Sequence, residues 1–192
     1  MDFKTHLEAA WHLTLKHIGS LILMTLVMTL IGALTLTLLY PVMLAGYIQA
    51  ILMMIRSGRE PRIQDLFTQM HLFLPLLAFS ITMMIAVSIG FTMLYLPGIA
   101  VICGVVFAFV YALPLMTDKR LGLRDALKQS WQLAVQGNIA DHVVVVILVM
   151  GFLTIGYSVF LGFLFTQPLA TVFLLLIYRE RISQHGLQDM GQ

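Results

Sequence analysis

Histidine, methionine and cysteine are the residues of this sequence that could hold a metal ion, and their spacing argues against it. His6 and His17 would share a helix face, but eleven residues separate them, about 16 Å along the axis, which one ion cannot bridge. His71 and His142 stand at the edges of apolar runs, where an imidazole suits the boundary between lipid and water. Met24, Met28, Met53, Met54, Met83, Met84 and Met93 carry thioethers of the kind that bind copper(I). They are scattered through apolar stretches in which methionine serves as a flexible gap-filler, and packing is their expected role. Cys103 is expected as a small buried hydrophobe. No metal and no cofactor are expected.

Catalytic chemistry has no better footing. The sequence has no glycine-rich phosphate loop, no zinc-ligand spacing and no nucleophile with a base at a recognisable offset. General acid–base work needs paired titratable groups in a cleft, and the apolar runs contain none, so no enzyme is expected. One amide, Gln49, stands well inside an apolar run. Its expected role is a hydrogen bond between helices, or contact with substrate if the chain is a carrier. The remaining candidates are two basic clusters, Arg56, Arg59 and Arg62, then Lys119, Arg120, Arg124 and Lys128. Each such charge near a membrane surface contributes about 1 kcal/mol of attraction to anionic lipid. A lipid headgroup or a partner protein is the expected ligand.

The elements that must position these residues are set by composition. Of 192 residues, 60% are hydrophobic and 10% charged, against about 25% charged in soluble domains. The runs 20–55, 72–117 and 143–178 offer water no polar face, so a polytopic membrane protein follows. Asp65 and Asp118 bracket a charge-free window that would be about 75 Å long as one helix, against a hydrocarbon core of about 30 Å. It must cross twice, and Leu96-Pro97-Gly98 is the expected reversal, because proline lacks the N–H and glycine tolerates a turn. Interrupting charges at Lys4, Glu8 and Lys16 argue against a signal peptide, so the mature chain is expected to start at Met1.

In chain order, residues 2–18 show apolar positions at three- and four-residue steps (Phe3, Leu7, Ala10, Trp11, Leu15, Ile18), an amphipathic helix with Trp11 at the interface. Two crossings follow, turning at Tyr40-Pro41 and closing in the basic loop 56–62. A short amphipathic piece carries Ile63, Leu66, Phe67 and Met70 on one face and Gln64, Asp65 and Gln69 on the other. After the central hairpin, a third amphipathic helix presents Leu123, Ala126, Leu127, Ser130, Trp131 and Ala134 on one face and ends near Gly137-Asn138. Residues 142–178 allow two more crossings. A turn at Pro168 would leave about 16 Å of helix before Arg179, so the turn is expected between Ser158 and Gly162, with Pro168 a kink in the sixth crossing.

The fold class is therefore all-α, with six transmembrane helices arranged as three hairpin repeats (3–60, 62–120, 122–181) and cytoplasmic amphipathic helices, in a single integral membrane domain spanning 1–192. All eleven basic residues fall on one side of this arrangement, which by the positive-inside rule is cytoplasmic, together with both termini. Ala100, Gly104, Ala108 and Ala112 recur every four residues, a small-residue stripe that should let the fourth crossing pack at the centre of the bundle.

Leu96-Pro97-Gly98-Ile99, Ala112-Leu113-Pro114-Leu115-Met116, Asp118-Lys119 and Ala126-Leu127-Lys128-Gln129-Ser130-Trp131 give the chain a likeness. Over residues 90–140 it resembles the YciC-like family of small bacterial inner-membrane proteins and, more distantly, the membrane domain fused to some glycerophosphodiester phosphodiesterases. The resemblance implies a six-helix bacterial inner-membrane protein and supplies no catalytic residue. The expected function is that of a non-enzymatic membrane interaction or scaffold protein that contacts lipid; the alternative is a carrier or channel for a small apolar or lipidic substrate. Expected partners are membrane lipids and a membrane protein or a second copy of the chain, with no nucleic acid.

Overall fold

The computed structural model describes residues 3–93, 95–135, 139–158 and 161–189, and every regular element among them is helical. Helix α1 (Phe3–Lys16) meets α2 (Ile18–Leu34) at an 84° bend around His17. The reversal after α2 occupies residues 35–39, with Leu36 and Thr37 at positive φ and the Thr37 amide donating to the Gly32 carbonyl at 2.7 Å. Helix α3 (Tyr40–Ser57) then starts with Pro41 in its first turn, where a missing N–H has no helical partner to lose. It stops at Gly58, which is left-handed at φ 67° and donates its amide to the Met54 carbonyl. Two short 3₁₀ turns, Ile63–Phe67 and Met70–Leu72, lead into α4 (Phe73–Met93) and α5 (Tyr95–Phe109). The rest of the chain forms α6 (Ala112–Asp118), α7 (Leu123–Val135), α8 (Ile139–Ser158) and α9 (Phe163–Asp189).

Four segments are long and apolar enough to cross a membrane: Ile63–Thr92, Val101–Asp118, Ile139–Ser158 and Phe163–Gln184. The bent pair α1–α2 makes a fifth if it is one broken span. Helix α8 ends at Ser158 and α9, which packs against it, starts at Phe163 and carries Pro168 inside it; the expected turn between Ser158 and Gly162 lies partly on residues 159–160, outside the described residues.

Three expectations change. The centre of the molecule is α3 rather than the fourth crossing: ten of its 18 residues are buried, and it packs against α2, α4, α6, α9 and the first 3₁₀ turn. Leu96-Pro97-Gly98 is not the reversal but the opening of α5, where proline is tolerated for the same reason as Pro41. Helix α4 ends at Met93 and α5 starts at Tyr95, and the two pack against each other; Leu94 lies outside the described residues. Finally, the segment expected as the fourth crossing is broken at Val110-Tyr111. Pro114 accounts for the break, since it has no N–H to give the carbonyl of Val110 four residues back and its ring crowds that oxygen.

The small-residue stripe splits at the same place. Ala108 and Ala112 are buried, while Gly104 is exposed, with nothing within 4 Å of the position a Cβ would take. The stripe is therefore no continuous seam; the side chain of Ala100 lies outside the described residues. Helices α4 and α5 pack mainly on each other, and α4 turns Leu74, Met84 and Ile89 outward, each more than half exposed. Cys103, expected inside, is exposed on α5.

Candidate functional site

The two basic clusters divide into paired and unpaired members. Arg56 Nη2 lies 2.6 Å from Asp118 Oδ1, and the other carboxylate oxygen of Asp118 accepts from the Tyr178 hydroxyl at 3.2 Å. Arg59 Nη2 lies 2.7 Å from Asp65 Oδ1, while Asp65 Oδ2 accepts the Arg62 backbone N–H at 3.0 Å. Asp65 was expected on a polar outer face, yet its side chain is only 10% exposed. A buried carboxylate needs such partners, so Asp65 serves to fold the basic loop back against α3. Of the apolar side chains beside it, Leu66 is fully buried, and Ile63, Phe67 and Met70 are exposed. Arg62, Lys119, Arg120, Arg124 and Lys128 are exposed and make no ion pair among the described residues. Four of these five surround the start of α7, whose inner face carries Ala126, Ser130, Leu133 and Ala134 and whose Trp131 stands half-exposed.

Beneath that basic surface lies a polar cluster that sequence reasoning missed. Breaking the helix at Val110-Tyr111 leaves carbonyls in the last turn of α5 needing donors. The Phe107 carbonyl receives His142 Nε2 from α8 at 2.7 Å, and the Ala108 carbonyl receives the Ser130 hydroxyl from α7 at 2.9 Å. Donation to a carbonyl places the imidazole proton on Nε2. Arg181 was counted among the surface charges that set topology, but it is 5% exposed. Its Nη1 donates to the Leu133 carbonyl near the end of α7 at 2.6 Å, and its guanidinium sits 5.7 Å from the centre of the Tyr111 ring. His142 is fully buried rather than interfacial. The Tyr111 hydroxyl, His142 Nδ1 and Arg181 Nε have no hydrogen-bond partner among the described residues. The available signal was Pro114, which announces freed carbonyls, together with His142 and Ser130 on the following helices.

Alongside α3, two apolar clefts flank a wall made by Tyr40, Leu44 and Leu113. One, of about 280 Å³, faces α4 and the start of α7. The other, of about 260 Å³, lies between α3, α8 and α9. Into the second project Tyr40, Tyr157 and Gln167, with Gln167 Nε2 donating to the Tyr40 hydroxyl at 3.2 Å. Gln167 Oε1 has no hydrogen-bond partner among the described residues, and the residue is 4% exposed. Gln49, at mid-height of α3, also has a buried Oε1 with no hydrogen-bond partner among the described residues. It is not the only amide inside an apolar run, since Gln167, next to Pro168, lies within α9. No group of three or more histidine, cysteine, aspartate or glutamate side chains suited to a metal ion occurs among the described residues.

Compared with protein-family models, curated proteins and solved structures, the chain matches none.

Proposed function

We propose that this chain is a multi-pass bacterial inner-membrane protein that works by contact rather than catalysis, holding anionic lipid headgroups or an acidic partner at its basic end. The observation that carries this reading is the split among the basic residues. Arg56 and Arg59 are occupied by buried carboxylates, whereas Lys119, Arg120, Arg124 and Lys128 crowd exposed around the start of α7 beside Trp131. Cations with an adjacent half-exposed indole suit the headgroup layer. On this reading α7 lies in the interface and both termini are cytoplasmic. Helix α3, whose 18 residues span about 27 Å, brings the crossings to six and is sheltered from lipid by its neighbours. The threefold order of short helix and hairpin, and the likeness to the YciC-like family, fit the same picture. The outward apolar faces of α4 and α5 meet lipid, a membrane partner or a second copy of the chain.

Native mass spectrometry from nanodiscs containing both anionic and zwitterionic lipid tests the reading. The parent should retain anionic lipid selectively. Replacing Lys119, Arg120, Arg124 and Lys128 together by glutamine should abolish the selectivity, while Arg56→Gln, which touches an internal pair, should leave it. Equal retention by parent and fourfold variant would refute the proposal. A second reading, a carrier for a small apolar or lipidic substrate, draws on the two clefts beside α3. A reconstituted flux that Gln49→Leu abolishes without unfolding the protein would favour it.

A further inference from the structure

The cleft between α3, α8 and α9 combines three properties that select a ligand class. Its walls are aliphatic, with Leu44, Ile48, Val149 and Leu153 among them, and no charged residue lines it. Its volume of about 260 Å³ falls just below the roughly 300–1,000 Å³ of pockets that enclose drug-sized molecules, so it suits one chain rather than several. And Gln167 lines it with an amide whose Nε2 donates to the hydroxyl of Tyr40 and whose buried Oε1 has no hydrogen-bond partner among the described residues.

Leaving such a group without a partner is costly in a protein interior and more so in lipid, where no bulk water can reach it. The companion cleft, towards α4, shares Tyr40 and Leu44 with this one but not the amide. The two halves of an amide are a donor and an acceptor, and one half is already used by Tyr40. A hydroxyl both donates and accepts, so it completes the amide in either orientation. A carboxylate accepts only, and it would bring a charge into a site lined by no cation, at a prohibitive desolvation cost.

We propose that this cleft binds a single-chain neutral lipid with a hydroxyl head, such as a long-chain alcohol, its hydroxyl on Gln167 and its chain along Ile48, Val149 and Leu153. The proposal rests on the reading of the chain as a membrane-spanning, lipid-contacting protein and names a ligand for a region that the basic end does not reach. Tyr40 and Tyr157 flank the head, and Tyr40 holds the amide in place.

The test is photocrosslinking in nanodiscs with the full chain, using a long-chain alcohol that carries a diazirine near its head and the matched fatty acid. The alcohol should label peptides within 149–157 and 167–174 saturably, and unlabelled alcohol should compete. The fatty acid should label at least about tenfold less at the same concentration. Gln167→Leu should cut labelling by the alcohol about tenfold, the effect of one lost buried hydrogen bond. Val149→Trp, which fills the cleft and leaves the amide intact, should also remove it, so a folding defect in either variant does not decide the result. Equal labelling by the two probes, or labelling indifferent to Val149→Trp, overturns the proposal. Anionic-lipid retention measured in the same nanodiscs reports on the basic end separately, so either reading can fail alone.

Discussion

A Cβ at Gly46 would collide with the backbone carbonyls of Asp65 and Leu66, where the 3₁₀ turn lies against α3. Backbone cannot swing aside as a side-chain tip can, so Gly46→Ala should destabilise by about 1–3 kcal/mol. Gly104→Leu should leave the melting temperature unchanged, because the position opens outward. Parallel thermal melts in one detergent compare the two. Had the small-residue stripe been the central seam, Gly104→Leu would be the damaging change. At the cluster below the basic surface, Arg181→Met removes the donor to the Leu133 carbonyl while keeping much of the side-chain bulk. It should cost about 1–3 kcal/mol, the penalty for a buried acceptor left unsatisfied. A melt matching the parent would mean that water already serves that carbonyl. Of these residues the sequence disclosed the identities and not the depth: Arg181 and Arg179 stand two positions apart at the end of one apolar run, yet one is buried and the other exposed.

Helix boundaries in this chain depend on prolines, which act differently by position. Pro41 and Pro97 each sit in the opening turn of a helix, Pro114 lies just past a break, and Pro168 is carried inside α9. A proline in an apolar run announces a local exception to helical hydrogen bonding and does not say which exception. That is why Tyr40-Pro41 marked a reversal to within a few residues and Leu96-Pro97-Gly98 did not. The last hairpin was legible because arithmetic excluded the alternative: too few residues follow Pro168 to span lipid before Arg179. The break at Val110-Tyr111 has a consequence for α7. Ser130→Ala removes the hydroxyl that α7 supplies to the Ala108 carbonyl. It should cost about 1 kcal/mol and raise amide exchange in α7 ahead of α8. Hydrogen exchange read by mass spectrometry checks it, and unchanged protection of α7 would contradict the capping role.

On the scale of the whole molecule, what the sequence conveys best is the separation of charge from apolar length. Helical class and membrane character follow from long runs with no charged residue, and the structure has four or five helices that meet those requirements. Which helix lies innermost is a different matter. Lipid tails are as apolar as leucine, so hydrophobicity does not separate the buried α3 from the outward-facing α4. The clefts and the buried cluster were hidden for the same reason, since each is assembled from helices far apart in the chain. The central claim is that the basic end and the uncharged turns face opposite sides of a membrane, the basic end inward. Single cysteines at Arg59, Arg120 and Thr37, introduced after Cys103→Ala and probed on intact cells with a membrane-impermeant maleimide, test it most directly. Thr37→Cys, in the turn between α2 and α3, should label in intact cells, and the other two only after permeabilisation. Efficient labelling of Arg59→Cys or Arg120→Cys in intact cells would contradict the account.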